Sequence, residues 1–534
     1  MADRERSFSI EELPSHLILE ILTSGRLSAV DLVNLEKTCR TFGGSYGVFP
    51  YKFRSMAELA AFHLCATHSI FCYMPPNARK ELLERCRGNW KQVLRFLQSV
   101  EQASGIVETS AGNVEILEEA LVLFADLLTM TTKVLEMMLL EHDKRWCWRW
   151  SGTVGQMQIT TGKYHTLLIN DNSAYSCGSS LCGVLGHGPV TTQREALTRV
   201  NFPSKSCVVH LSASHNHAAF VMQSGEVFTC GDNSSFCCGL GELRRTIFKP
   251  TRVEALKGIP CKQVATGLNF TVILTREGHV YTCGTNSHGQ LGHGDTLDRS
   301  IPKFVQPFDG LGCVVQIAAG ASYTLAVTND GTVHSFGSAS NFCLGHGEQH
   351  NEFQPRAIQS FKRKNIHVVR VSAGDEHAVA LDSNGFVYTW GKGYCGALGH
   401  GDENEKTSPG LLTSLKGHLA VQVCARKRKT FVLMDDGSVF AFGWMGFGSL
   451  GFTDRAASDK ITKPRILDSL KAHHISQIST GLYHTVAVTN RGLIFGFGDN
   501  ERGQLGHSSL RGCLEPTEIV IQTMDEADIV AESA

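Results

Sequence analysis

Several things are scarce in this 534-residue chain. Net charge is one: 50 Lys and Arg stand against 51 Asp and Glu, which leaves out the basic footprint of a dedicated nucleic-acid binder. Paired thiols are another, since none of the 18 cysteines forms a Cys-x-x-Cys pair. The N-terminus, MADRERSFSI, is charged where a secretory signal needs an apolar core. Together these predict reduced thiols in the nucleus and/or cytoplasm rather than a disulfide framework. Catalytic signatures are missing too: no Gly-x-Ser-x-Gly elbow, Walker loop or unrepeated acid/base constellation is present, so no catalytic residue, cofactor or metal is assigned. The one long apolar stretch, Val114 to Glu141, is interrupted by Glu118, Glu119, Asp126, Lys133 and Glu136, which fits an amphipathic helix and not a membrane span.

What the chain has in quantity is repetition. In Val314 to Gly347 an alternating run (Val315, Ile317, Ala319) meets Gly320, and a second (Leu325, Val327) ends at Asn329-Asp330-Gly331. A third (Val333, Ser335) ends at Phe336-Gly337, and Leu344-Gly345-His346 closes the unit. Period-two alternation cut by such turns predicts short antiparallel strands joined by hairpins. The position of Gly320 recurs at Gly162, Ser214, Gly267, Gly374, Arg426 and Gly481, in steps of 52, 53, 53, 54, 52 and 55 residues. Leu-Gly recurs seven times, from Leu185-Gly186 to Leu505-Gly506. Segments opening on Pro250, Pro302, Pro355, Pro409, Pro464 and Pro516 add a further strand to each unit, proline being tolerated at a strand start.

Four strands in some fifty residues, seven times over, predict an all-β seven-bladed β-propeller preceded by an α-helical N-terminal region. The Gly-x-x-His-Thr turns (Gly162 to Thr166, Gly481 to Thr485), the hairpin Asp/Asn-Gly, the aromatic-Gly pair and Gly-x-Leu-Gly-His-Gly resemble the regulator of chromosome condensation repeat over about residues 155–521. That resemblance implies a propeller used mainly for protein recognition. The first unit starts at Met157 without a Pro-led strand and the last is followed by a surplus one, so Pro516 to Ile521 is expected to complete the first blade and close the ring.

Residues 9–42 are unlike the repeats. Leu13, Leu17, Ile21 and Leu22 fall at helical spacing with Pro14 near the start, and a second helix runs through Val30, Leu32, Leu35 and Cys39. The pattern Leu-Pro-x-x-Leu-x-x-x-Ile-Leu at Leu13 to Leu22 resembles the F-box, which implies docking through Leu13, Pro14, Leu17, Ile21 and Leu22 onto the Skp-type adaptor of a cullin ubiquitin ligase. A helical hairpin packed on the rest of the N-terminal region is the alternative, and Gly43-Gly44 ends the second helix early. The expected organisation is 1–48 F-box-like hairpin, 49–150 helical region, 151–521 propeller and 522–534 acidic tail. Within 49–150, apolar residues from Ala78 to Val100 fall at helical spacing, and Trp146, Trp148 and Trp150 form a cluster expected to wedge the helices against the ring, with exposed anchors for a partner as the alternative.

Residues repeated once per blade are expected to be structural. Cys177, Cys230 and Cys283 share a slot with Phe336, Trp390, Phe442 and Phe497, which marks it as packed and apolar. His165, His217, His377 and His484 share one position, and His187, His293, His346, His400 and His507 another, which suits hydrogen bonding within each blade better than a shared metal. Gly391-x-Gly393-x-x-Gly396 and Gly446-x-Gly448-x-x-Gly451 spell a dinucleotide fingerprint but have no helix pattern behind them.

Recognition should lie where the units differ. The pairs after the turn glycine vary: Lys163-Tyr164, His215-Asn216, Leu268-Asn269, Ala321-Ser322, Asp375-Glu376, Lys427-Arg428 and Leu482-Tyr483. The candidate protein-binding face comprises Lys163, Tyr164, Asn216, Asn269, Asp375, Glu376, Arg426, Lys427, Arg428, Lys429 and Tyr483. Blade six departs most, reading Arg426-Lys427-Arg428-Lys429-Thr430. That run fits an acidic or phosphate-bearing partner, a solvated loop, or a nuclear-import motif also served by Lys362-Arg363-Lys364. Three functions follow: a substrate receptor for a ligase; a nucleotide-exchange or chromatin-bound propeller contacting a small GTPase or histone; and, last, a light sensor like the plant ultraviolet-B receptor. That receptor carries tryptophans in turns where this chain has none.

Overall fold

The computed structural model describes residues 56–102 and 157–521, apart from 205, 242–243, 309, 454–458 and 508. The F-box-like segment, the Val114 to Glu141 stretch, the tryptophan cluster and the acidic tail lie outside the described residues. Residues 62–106 and 155–534 form one compact unit; 1–61 with 107–154 form another, of which only 56–61 are described.

The alternating runs become seven four-stranded antiparallel sheets, each from one contiguous stretch: 158–199, 208–252, 261–304, 314–357, 368–411, 420–466 and 475–519. Blade four shows the local logic. Its inner strand Val314–Ala319 pairs with Tyr323–Thr328, that with Val333–Gly337, and that with the outer strand Glu352–Ala357. The hairpin at Asn329-Asp330-Gly331 needs a left-handed residue, which Gly331 supplies at φ +77°, while Asp330 Oδ1 accepts from Thr332 N at 3.1 Å. Apolar residues then pack between neighbouring sheets, as where Phe270 and Leu274 of blade three meet Val314, Ile317 and Phe336 of blade four. The slot shared by Cys177, Cys230, Cys283, Phe336, Trp390, Phe442 and Phe497 is buried throughout.

The histidines divide into two sets. His187, His293, His346 and His400 bond the serine or threonine of their own third strand at 2.8–3.0 Å, as expected. The other set bonds across blades, which corrects the within-blade expectation. His217 Nε2 meets Thr271 Oγ1, His377 Nε2 meets Thr430 Oγ1 and His484 Nε2 meets Thr166 Oγ1, each at 2.9 Å. The same threonines donate to a carbonyl of the preceding blade, as Thr271 does to Cys237 O at 2.7 Å, and Thr324 keeps that bond without a histidine, to Gln290 O at 2.8 Å. The His-Thr pair is thus a clamp between neighbours. Where Ala218 replaces the threonine, His165 Nε2 lacks a partner among the described residues.

Ring closure also differs from expectation. The Pro516 segment belongs to Cys513–Ile519, which pairs with Ile494–Gly498 inside blade seven. Blade one has its own outer strand, Gln193–Arg199, whose lack of proline hid it. Closure therefore uses the ordinary blade junction: Gln477 Oε1 accepts from Ile159 N at 2.8 Å, and Ile159, Leu168 and Leu197 pack with Val486, Val488 and Ile519. The prolines stand inside outer strands, on an edge where a missing donor costs nothing.

Ahead of the ring come α1 (Met56–Thr67), α2 (Ser69–Tyr73), α3 (Pro76–Arg85) and α4 (Trp90–Gln102). The apolar pattern from Ala78 to Val100 is two helices because Arg87 and Gly88 turn left-handed, at φ +54° and +68°. Asn89 Oδ1 then caps α4 by accepting from Lys91 N at 3.0 Å. Of these, α3 and α4 cover the hairpin end of blades five and six. Arg85 donates to Asn384 O and His418 O, Arg95 to Asp435 O, and Arg370 of the ring to Val100 O.

Candidate interaction face and central channel

At the opposite end, the turn between inner and second strand brings the variable pairs to the rim of the ring. Tyr164 of blade one stacks on Tyr483 of blade seven with centroids 5.4 Å apart, and Lys163 Nζ sits 5.1 Å from the Tyr164 centroid. Lys427 Nζ lies 4.4 Å from both the Trp444 and the Tyr483 centroids. Phe447 meets Tyr483 edge-on at 5.0 Å, and Arg428 lies over Tyr394 at 4.6 Å. Glu376 accepts from Lys392 Nζ at 2.8 Å and from Asn341 Nδ2 at 2.9 Å. Side chains of blades four, five, six, seven and one are thus linked around one rim, while Asn216 and Asn269 occupy the same turns of blades two and three outside this chain of contacts.

Sequence reasoning missed Trp444, which ends the third strand of blade six, and Phe447 and Tyr394, which come from the loops after the third strand. In the sequence the segment with Phe447 spells a dinucleotide fingerprint. Both fingerprints form a single 3₁₀ turn, Tyr394–Gly396 and Gly446–Gly448, with no helix to receive a pyrophosphate. The signal available was an aromatic between two loop glycines. Phe447 is 56% exposed and left-handed at φ +59°, a conformation unusual for a bulky residue.

The basic run of blade six is not one exposed turn. Lys427 alone takes the left-handed turn position, at φ +50°. Lys429 begins the second strand, pairs with Gly443 and is fully buried, which removes it from the face and corrects that assignment. Burial, then Lys427, pushes its ammonium down to about 7. Arg426 ends the inner strand and lines the central channel.

That channel encloses about 220 Å³ between the seven inner strands. Gln158, Gln263, Gln316, Gln422 and Gln477 ring it together with His210 and Arg370, and the amide oxygens of Gln263, Gln316, Gln422 and Gln477 accept from a backbone N–H of the next blade, as Gln316 Oε1 does from Val371 N at 2.8 Å. Burial lowers Arg370 to about 10, so it remains charged at neutral pH. At the rim the repeat places glycine in five blades for want of room: a Cβ on Gly320 would stand 2.1 Å from Tyr323 Cε1, and one on Gly267 2.0 Å from Phe270 Cε1. Close by, burial drives His215 down to about 4. Arg426, Lys163 and Lys427 add to the shift and Asp375 opposes it, so these groups converge on one mouth.

Among the described residues no cluster of His, Cys, Asp or Glu could hold a metal, and no helix is long and apolar enough to cross a membrane. An RCC1-like domain model matches residues 282–532, and a regulator of chromosome condensation (RCC1) repeat model matches 224–274. The ultraviolet-B receptor UVR8 of Arabidopsis thaliana is 32% identical over 350 residues, 65% of this chain and 78% of that one. The mouse E3 ubiquitin-protein ligase HERC2 is 34% identical over 275 residues, 51% of this chain but only 6% of that ligase. Prp20p of Saccharomyces cerevisiae, solved with a study of its binding to Gsp1p and histones, shares the fold at TM-score 0.58 and 18% identity, covering 70% of this chain and 88% of its own. With seven blades in register and a receptor relative matched over most of its length, the chain belongs to the regulator of chromosome condensation (RCC1) repeat family.

Proposed function

We propose that this chain is a non-catalytic recognition module of the nucleus and/or cytoplasm. On this reading the rim of the propeller holds a protein partner, and residues 13–22 link it to a Skp-type adaptor of a cullin ubiquitin ligase. The observation that carries the recognition half is the cluster of Tyr164, Lys427, Trp444, Phe447 and Tyr483 at the end of the ring away from α3 and α4. Aromatic and basic side chains of this kind dominate binding energy at protein interfaces. The ligase half rests on Leu13 to Leu22, and the likeness to HERC2 supports it by pairing such a ring with a ligase in one protein. A GTPase or histone on the rim is the competing reading, favoured by the fold shared with Prp20p.

The test is capture by the full chain, by a Leu13→Ser/Pro14→Ala variant and by a Trp444→Ala/Tyr483→Ala variant, with purified Skp adaptor and a small GTPase as defined baits. The adaptor should be lost only with the first variant and the rim partner only with the second. Absence of adaptor binding by the intact chain removes the ligase half. Capture that survives the rim variant removes the face.

A further inference from the structure

We propose that the rim-side mouth of the central channel is an oxyanion site that takes a phosphate group between Arg426 and Lys429. The inference goes beyond the recognition reading and stands if that reading fails, because a free ion suffices to test it.

The site is built by two linked substitutions in one blade. In blades one, three, four, five and seven the rim position is glycine, and the residue three further on lies across it: His165, Phe270, Tyr323, His377 or His484. Those rings leave no room for a long side chain at the rim; blade two fits only a small one, Ser214, whose Oγ meets His217 Nδ1 at 2.7 Å. Blade six carries Arg426 at the rim and, three residues on, Lys429, an unbranched chain in place of a ring. The exchange sets two cations at paired positions of adjacent strands, with Arg426 on the channel wall.

Neither has the partners its chemistry calls for. Lys429 is fully buried and its Nζ has no hydrogen-bond acceptor among the described residues; the same holds for the buried Nε of Arg426. The threonine that would receive a histidine from blade six, Thr485, is already engaged with Ser449 O and Thr480 Oγ1 at 2.8 Å each. Lys427 and Lys163 add positive charge at the same mouth, and Asp375 is the carboxylate that opposes them at His215. Glu376 is held by Lys392 and Asn341.

A buried cation without a counter-ion is unfavourable, and an anion entering from the open rim would offset that cost. Phosphate fits better than a single carboxylate. It carries about −1.5 to −2 charge at neutral pH against this excess, and its three oxygens can meet a guanidinium and an ammonium together. The other cation of the channel, Arg370, is committed to Val100 O, so the site is at the rim and not at the helix-covered end.

The experiment is calorimetric titration of the full chain with inorganic phosphate at pH 7 and low salt, alongside Arg426→Gly, Lys429→Met and, as a charge control at the exposed hairpin of blade seven on the other end of the ring, Arg491→Ala. Gly restores the residue of five other blades and Met keeps the shape of the lysine without its charge, so both variants should fold. Saturable binding should weaken at least ~10-fold in those two variants and stay within ~2-fold in Arg491→Ala. A phosphoserine peptide and its glutamate counterpart form further arms. Tighter binding of the phosphopeptide than of inorganic phosphate places the group on a partner, and equal binding makes the free ion the ligand; both outcomes support the site. No saturable heat, equal affinity in Arg426→Gly, or a glutamate peptide matching the phosphopeptide overturns it.

Discussion

Blades four and six share one scaffold and use its rim in opposite ways. In both, the second strand opens against a glycine of the third, Tyr323 with Gly337 and Lys429 with Gly443. In blade four the tyrosine lies over Gly320 and its hydroxyl donates to His377 O at 2.6 Å and Gly374 O at 3.1 Å, which ties blade four to blade five. In blade six the same place holds a buried lysine that ties nothing. The six junctions without such a lysine hold the ring well enough for one to be given over to charge. Local rules broken without compensation mark the places where a fold serves something besides its own stability.

The largest effect should come from forcing blade six's rim onto blade four. Gly320 is not left-handed, so its backbone accepts a side chain; the obstacle is Tyr323 Cε1, 2.1 Å from any Cβ. The tyrosine cannot swing aside without leaving two acceptors. Gly320→Arg should therefore cost about 3 kcal/mol or more in urea unfolding. In a Tyr323→Lys background the same change should cost under about 1 kcal/mol, a coupling that a double-mutant cycle reads directly. Equal costs in both backgrounds would show that rim residue and overlying residue are independent, and the contrast between the blades would lose its cause.

The reverse change should be smaller and of opposite sign. The ammonium of Lys429 falls from 10.5 to about 7 in the folded protein, chiefly by burial. A lowered lysine means the unfolded chain binds more protons between those values, so stability rises with pH across that window and the penalty is complete below it. Lys429→Met should then gain on the order of 1–3 kcal/mol at pH 7 and below. The advantage should shrink as pH climbs towards 10.5. Melting both proteins at pH 6, 8 and 10 checks it (pH values set by the window ~7–10.5); an advantage that grows with pH would mean the lysine is paired after all.

Much of this was legible beforehand, for a physical reason: a residue needed once per blade appears seven times, so steric and hydrogen-bond demands become periodic. The count of blades, the hairpin turns and the apolar slot of Cys177, Cys230 and Cys283 were all written that way. What happens once was harder to see. The outer strand Gln193–Arg199 lacks the proline of its six counterparts, so the closing frame was displaced by one strand. Arg426 to Lys429 looked like one exposed turn, yet strand alternation resumes at Lys429 and turns its side chain inward. Trp444 and Phe447 join the rim through a fold-level closeness to Lys427 and Tyr483 that no local spacing reveals. For Leu13 to Leu22 there is only the pattern itself, since those residues lie outside the described ones.

The smallest effect sharpens the comparison at the other end of the ring. Arg370 stands where five blades place glutamine, and like Arg426 it brings a cation into the channel, but this one is satisfied. Its Nε and Nη2 donate to Val100 O at 3.2 and 2.8 Å, at the last turn of α4. A carbonyl near a helix C-terminus carries partial negative charge and suits a cation. Arg370→Gln should thus cost only about 1 kcal/mol globally. Its mark should be local: amide exchange across Trp90–Gln102 should quicken while the strands of blades one to three exchange as before. Unchanged exchange in α4 would show that the helix is held by Val93, Leu94 and Leu97 alone, and that the two channel arginines differ in burial but not in use.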